Sequence, residues 1–540
     1  GRGAGGGIMT KAMTRRGPAV LSAGSEADVL RRLVAPFAEA AARARRDGRP
    51  VLVSVSEGLP RRDWIAVFEA ARARGADAML WYAPWQDAVL LGVGTAWSAA
   101  GAGPDRFARV SLLWRVLVSD AVVVVDGEPA EDQPAEGEQA CGQREGLPHA
   151  AGGTAGAHGE RTAAPGPGPL LLGGFAFDAG GAGDLWEAFG EGRLDLPRVM
   201  YGDVAGRAWV TLNAVVGPDD DPQLAAEAAA RDLAAAWAEA EEVGACAADE
   251  GAPGAADGVA AVPETAVRIV EEIPPRGRWL AAVAETAAAV RSRVLEKAVL
   301  ARCVRIAASR RFDVGAALRY LLAHYPACYL FAVARGGDCF LGATPERIVR
   351  KTGGLVHVAC LAGSVRRGAT PAEDEELGRW LLSDAKNAAE HRIVLRAIIE
   401  ALAPACVEVS VGGTELRRLA NVQHLYTPVT AQAAHGVDVL ELTARVHPTP
   451  ALAGYPREAA LAWIREREGW ARGWYAGPVG WMDWAGDGEF AAGLRSALVR
   501  GEEAWLFAGC GIMGDSVPES EYEESALKLR PMLAALEASL

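Results

Sequence analysis

Cysteine is scarce in this 540-residue chain: there are eight, and no two stand in a Cys-x-x-Cys pair. That excludes a disulfide scaffold and a zinc ribbon, and the thiols read as reduced and cytosolic. Basic charge is also in deficit, with 55 Lys plus Arg against 69 Asp plus Glu and a net charge of −14. A nucleic-acid or anionic-membrane partner needs a cationic surface, so neither is expected. Long apolar runs are missing. The most apolar window, 108–125, is interrupted by Arg109, Arg115 and Asp120 and is too short to span a bilayer. The Gly-rich N-terminus carries Lys11, Arg15 and Arg16 with no apolar stretch behind them, so no secretory signal is expected, and Met9 and Met13 are candidate starts. No internal repeat is present. Half of the residues are apolar, enough to fill a large core. The expectation is a soluble, cytoplasmic globular protein, a monomer or homodimer.

Up to about Val216, short β-rich runs alternate with Ala/Arg-rich amphipathic helices. Strands are predicted at 51–56, 78–82, 170–177 and 208–215, and a helix over 27–46. Two stretches, 127–168 and 239–263, are Ala/Gly/Glu/Pro-rich without periodicity and read as surface insertions. Residues 1–26 read as a disordered extension and 27–270 as the N-terminal part of the fold. The region 271–540 reads as the catalytic part, because polar residues there sit inside strand-like runs. It is predicted to hold helices over 279–295, 372–402 and 518–536. Its strands are predicted at 298–306, 328–334, 339–341, 348–351, 355–361, 407–411, 475–484, 489–499 and 504–510.

Several residues there could carry chemistry. Ser516 and Glu519 have capping-box spacing, with Pro518 in the first turn of the last helix. Glu521, Glu524 and Lys528 then share one stripe. Two carboxylates a turn apart could hold a divalent cation, although spacing alone favours a solvated face with a Glu-to-Lys pair. Glu390, in a polar block of the long helix, would offer a third oxygen to a hard cation such as Mg²⁺ if that face lined a wet cavity. Gly509, Gly511 and Gly514 flank a strand end, where backbone N–H groups could form an anion nest or simply a turn. Lys297 stands among apolar neighbours: pointing outward is its default, and pointing inward would make it a base candidate. Glu346 sits at a bend that could present one carboxylate to a cleft. His424 and His447, taken singly, read as packed or exposed histidines. Spacing arguments reach a metal-assisted enzyme acting on a small anionic substrate, and no further.

The order of these blocks is more specific than any one of them. Lys297-Ala-Val-Leu-Ala-Arg302, Phe340-Leu-Gly-Ala-Thr-Pro-Glu346, Leu361-Ala-Gly-Ser364, Lys386-Asn-Ala-Ala-Glu-His391 and Asn421-Val-Gln-His-Leu425 come first. His447-Pro-Thr-Pro-Ala-Leu-Ala-Gly454, Arg472-Gly-Trp-Tyr-Ala-Gly477, Ala508-Gly-Cys-Gly-Ile512 and Glu521-x-x-Glu524 with Lys528 follow. Together they resemble the chorismate-utilising enzymes, and among them the isochorismate synthase branch, over roughly the last half of the chain. Gly173-Gly-Phe-Ala-Phe177, residues 186–189 and Leu196-Pro197 extend the likeness upstream.

The resemblance implies an α+β fold with a large, two-layered, mainly antiparallel sheet flanked by helices, and a buried Mg²⁺-dependent site. It implies addition of a nucleophile at C2 of chorismate while the C4 hydroxyl leaves, giving isochorismate when the nucleophile is water. Lys297 would be the base that activates water and Glu346 the acid that protonates the leaving hydroxyl. Glu390, Glu521 and Glu524 would hold Mg²⁺. Tyr475, Arg495, Gly511 and Lys528 match positions around the enolpyruvyl carboxylate, and Gly363, Ser364 and His424 match the wall beside the ring. Aminating members usually carry Pro-Ile-Ala-Gly-Thr where this chain has Cys360-Leu-Ala-Gly-Ser364, and a Thr near Ala451. Salicylate-forming members have a different segment at 451–454. His447-Pro-Thr-Pro-Ala451 therefore resembles the water-adding branch, with salicylate synthase, an aminating enzyme or a non-catalytic binding subunit as alternatives. The product would feed menaquinone or siderophore synthesis, and the upstream Gly-Gly-Phe-Ala-Phe block leans toward menaquinone.

Overall fold

A computed structural model of the chain describes residues 26–125, 128–129, 165–180, 183–249, 267–418 and 422–540. The strands form two layers. The first runs, in spatial order, through Val122–Val125, Val51–Leu59, Arg207–Val216, Gly192–Val204, Ala88–Ala100, Ala78–Ala83 and Tyr329–Arg335. It continues through Asp338–Thr344, Ser496–Arg500, Glu503–Ile512, Lys297–Ala308 and Val267–Ile273. The second runs through Leu170–Phe175, Pro478–Asp483, Gly488–Ala492, Arg347–Thr352, Leu355–Arg366 and Val422–Ala433. The long strand Gly192–Val204 belongs to both, since its first residues also pair with Leu170–Phe175. Among the described pairings only Val51–Leu59 with Val122–Val125 is parallel. This is the expected mainly antiparallel α+β architecture, with the two layers continuous at one shared strand.

The period of two along a strand explains why its sequence reads as uninterrupted apolar residues. In Tyr329–Arg335, Phe331 and Val333 face the core between the layers. Leu330 and Ala332 face a second core, covered by helices. Phe340 and Phe507 meet Val349 and Phe490 in the first core, and the buried Tyr329 hydroxyl donates across it to Glu489 Oε1 at 2.6 Å. In the second, Phe37, Phe68, Leu233, Leu318 and Met532 come from the helices Glu26–Asp47, Trp64–Ala73, Pro222–Asp249, Val314–His324 and Pro518–Glu537. Strands from before and after residue 270 pair with each other in both layers, so both parts of the chain build one sheet system.

Several expectations need correction. The single helix over 372–402 is two, Pro371–Ser383 and Ala385–Leu402: Asp384 adopts extended geometry (ψ 120°), and its carboxylate caps the second by accepting from Asn387 N. The strand 489–499 is likewise two, broken at 493–495, where Arg495 has a left-handed backbone (φ 47°). Tyr475 precedes its strand, which starts at Pro478. The last helix is capped at Val517, without a side-chain bond. Ser516 instead accepts from Met513 N, so the capping box does not form. The insertion expected over 239–263 is helical up to Asp249. Its stripe Ala226, Ala230, Leu233, Trp237 and Ala240 is buried, but alanines give a weak hydrophobic signal. The extension expected over 1–26 falls outside the described residues up to 25. So does most of the insertion expected over 127–168, apart from Glu128–Pro129, which pair with Val124 and Val125, and the start of the next strand's approach at 165–168. No helix among the described residues is long and apolar enough to cross a membrane.

Candidate active site

The cavity that gathers the chemistry lies between the strands Lys297–Ala308 and Glu503–Ile512 on one side and Leu355–Arg366 and Val422–Ala433 on the other. In the first pair, Val299 faces Gly511 and Ala301 faces Gly509. The two glycines lie within the strand, not in a loop after it, and provide space more than an anion nest. A Cβ at Gly511 would stand 2.8 Å from Lys297 Cε, and one at Gly509 would stand 3.1 Å from the Tyr475 hydroxyl.

Lys297 points inward, against the default expected of it, and is 2% exposed. Its Nζ donates to Glu390 Oε1 at 2.6 Å, from the helix whose cap is Asp384. Burial pushes the Glu390 carboxyl up, but the charge and hydrogen bond of Lys297 outweigh this and hold it below the ordinary range. Glu346, at the bend after Asp338–Thr344, is pushed up to about 7 by burial against the opposing pull of Lys297, Lys528 and Arg495. Its carboxyl keeps partial access to the cavity while the surroundings are protein. The helix Pro518–Glu537 sends in Lys528, whose Nζ donates to Gly509 O at 3.0 Å and pairs with Glu524 at 2.7 Å. Burial lowers its proton affinity, but the neighbouring Cys510 and Glu524 outweigh this and hold the amine well above the ordinary lysine range.

The far wall is made at an irregularity. The register between Leu355–Arg366 and Val422–Ala433 slips between Leu361 and Ser364, and Gly363 there has φ +80°. A glycine suits that position, since an L side chain rarely adopts it. The bulge sets Ser364 opposite His424, and Ser364 Oγ lies 2.7 Å from His424 Nδ1. Burial, then the charges of Arg495 and Lys528, push His424 down to about 3, so the ring is neutral at pH 7. Tyr475 stacks on Phe507 with centroids 5.2 Å apart, and burial pushes its phenol well up. Burial lowers the proton affinity of the Arg495 guanidinium. The cavity therefore joins Lys297, Glu346, Gly363, Ser364, His424, Tyr475, Arg495, Gly511, Lys528 and Glu390.

Glu521 and Glu524 lie beside this cavity. Their carboxylate oxygens and the Cys510 thiol fall within 4.8 Å of one another. Burial, with Glu524, pushes the Glu521 carboxyl up against a hydrogen bond from Ser516 and the charges of Lys528 and Lys386. The two carboxylates, Glu524 while also paired with Lys528, offer oxygen ligands that fit a hard divalent cation, whereas the neutral thiol does not. Glu390, expected as a third ligand, is held by Lys297 and is not in that group. His447, read as packed or exposed, is packed: its Nε2 contacts Phe177 O at 2.9 Å.

Sequence reasoning assigned no role to Glu468 or Arg472, a buried pair at 2.5 Å. Glu468 accepts from Ala301 N, and Arg472 donates to Val299 O and Leu452 O, so the pair fixes the strand that carries Lys297. The four-residue spacing was visible; its burial was not.

Against known proteins, the model of a chorismate binding enzyme matches residues 38–141 and 154–537. The chain belongs to the chorismate-binding enzyme family. It is 38% identical over 376 residues to isochorismate synthase MenF of Bacillus subtilis, covering 68% of this chain and 75% of that one. It is 35% identical over 504 residues to the salicylate biosynthesis isochorismate synthase of Pseudomonas aeruginosa, covering 93% and 94%. The fold matches the menaquinone-specific isochorismate synthase MenF of Escherichia coli at a TM-score of 0.68 and 22% identity, over 93% of this chain and all of that one. It matches anthranilate synthase component I of Streptococcus pneumoniae at 0.56 and 18%, over 83% and 92%.

Proposed function

We propose that this chorismate-binding enzyme is a Mg²⁺-dependent isochorismate synthase, interconverting chorismate and isochorismate by adding water at C2 with loss of the C4 hydroxyl. The observation that carries the reading is the enclosure in a single cavity of the Lys297 amine and of the Glu346 carboxyl, held protonated up to about pH 7. Addition with departure of hydroxide needs a base on one side of the substrate and an acid on the other. The names of the relatives from Bacillus subtilis and Pseudomonas aeruginosa support the same activity.

In this reading Lys297 first gives up the proton with which it pairs to Glu390, and the free amine then takes a proton from water as the oxygen bonds to C2. Glu346 gives its proton to the C4 oxygen, which departs as water while the ring double bonds shift. Arg495 and Lys528 attract the enolpyruvyl carboxylate, and Tyr475 and Gly511 border it. The neutral His424, held by Ser364, walls the ring beside Gly363. Glu521 and Glu524, with Glu390 nearby, would hold Mg²⁺, which supplies a positive charge for the ring carboxylate. Ala451, where aminating relatives are expected to carry Thr, lines the cavity and favours water over ammonia. Isochorismate would then feed menaquinone or siderophore synthesis. Lys297→Ala tests the assignment: chorismate should still quench protein fluorescence while isochorismate formation disappears, and near wild-type turnover would refute the mechanism.

A further inference from the structure

Chorismate, as a dianion, must approach a chain of net charge −14. The approach therefore needs a local positive path, because the field of the whole protein opposes it. One cross-strand row marks such a path. Ser364 faces His424 across one strand pair, and His424 faces Arg417 across the next, in the strand Glu415–Arg418. Residues directly opposite in antiparallel strands project to the same side of a sheet. The row therefore begins inside the reaction cavity with Ser364 and His424 and continues beyond it to Arg417.

Arg417 has no carboxylate partner among the described residues; its guanidinium lies 5.2 Å over the ring of Tyr426. Its charge acts on His424, its partner across the strands. A second cavity, of about 460 Å³, shares Pro345 and Arg495 with the first and is lined by Arg367 and Arg418 but not by Arg417. The other two arginines there are neutralised. Arg367 is held by Asp374 at 2.7 Å, and Arg418 by Glu375 at 2.8 Å. Of these four arginines, Arg495 on the shared wall and Arg417 at the end of the row are the two without an ion pair to a described residue.

We propose that Arg417, at the outer end of the row that leads into the reaction cavity, is a steering residue that draws the dianionic substrate toward Arg495. This rests on the proposed isochorismate synthase reading. Arg417 is a positioning residue that acts on encounter, so its effect belongs to the association rate and not to the chemical step.

Stopped-flow quenching of protein fluorescence by chorismate, at NaCl concentrations from 10 to 500 mM, tests it. Arg417→Gln should lower the association rate constant about three- to tenfold at low salt, with the difference closing at high salt as screening takes over. Arg417→Lys should restore most of it, and kcat at saturating chorismate should stay within about twofold of wild type for both. An association rate and salt dependence equal to wild type in Arg417→Gln would overturn the proposal. Equal loss at all salt concentrations would overturn it too, by making Arg417 a structural or contact residue. If wild-type protein itself shows no chorismate binding or turnover, the underlying functional reading fails, and the steering role fails with it.

Discussion

Gly511→Ala isolates the placement of the base from its chemistry. Gly511 has an ordinary backbone conformation, so alanine is tolerated there by the main chain, and its single added carbon would fall 2.8 Å from Lys297 Cε and 3.3 Å from Nζ. The same carbon would lie 3.4 Å from Glu390 Oε1, an ordinary contact. The lysine must therefore retreat by several tenths of an ångström while its partner need not, and the 2.6 Å Lys297–Glu390 hydrogen bond is the contact that yields. Misplacement of a reacting group by about 1 Å is worth up to about 100-fold in rate. A loss of kcat between about 10- and 100-fold is expected, or about 1.4 to 2.7 kcal/mol in the activation barrier. Because Gly511 also borders the proposed enolpyruvyl subsite, KM should rise as well, and the loss assigned to the base is the one that persists at saturating chorismate. The assay is steady-state conversion of chorismate with Mg²⁺, alongside a thermal melt to show that the sheet is intact. A Gly511→Ala protein with wild-type kcat would refute the argument that this glycine keeps space for the base.

Glu346→Gln should lower kcat by about 10² or more and remove the fall in kcat/KM expected as pH rises through about 7, since the wild-type acid must be protonated to act. Its stability should move the other way. The folded carboxyl is pushed above its unfolded value, so wild type loses stability as pH rises from about 4.5 to 7. The glutamine variant should therefore melt higher than wild type at pH 8, a gap that closes below pH 4.5; an equal gap at both ends would contradict the burial argument. Glu521→Gln should abolish the heat of Mg²⁺ binding measured calorimetrically with chorismate present, and unchanged binding would remove the metal assignment. Glu468→Gln leaves Arg472 charged and buried without its partner, which typically costs about 3 to 5 kcal/mol in denaturant unfolding. A cost below about 1 kcal/mol would show that the pair does not hold the Lys297 strand.

Much of this fold and site was legible in the sequence, for identifiable reasons. Strands such as Tyr329–Arg335 declare themselves because both faces are buried, leaving an unbroken apolar run. The ordered blocks from Lys297 to Lys528 located the cavity because its residues arrive in pieces from separate elements, each with its own local pattern. What stayed hidden were properties of tertiary contact. The direction of Lys297 depends on Glu390, 93 residues away. The break at Asp384 is one extended residue inside a helical pattern, where capping competes with continuation on nearly equal terms. The cap at Val517 defeats a capping box because Ser516 finds Met513 N first. Arg417 gave no signal at all, since its importance lies in lacking a partner.

The central claim is that the nucleophile at C2 is water and that the C4 hydroxyl departs. Turnover of chorismate with Mg²⁺ in ¹⁸O-enriched water, sampled at early times by mass spectrometry, tests it most directly. The account predicts isochorismate carrying one ¹⁸O, at the C2 hydroxyl, with formation lost in Lys297→Ala. Unlabelled isochorismate, or an aminated product formed only when ammonia is supplied, would contradict it.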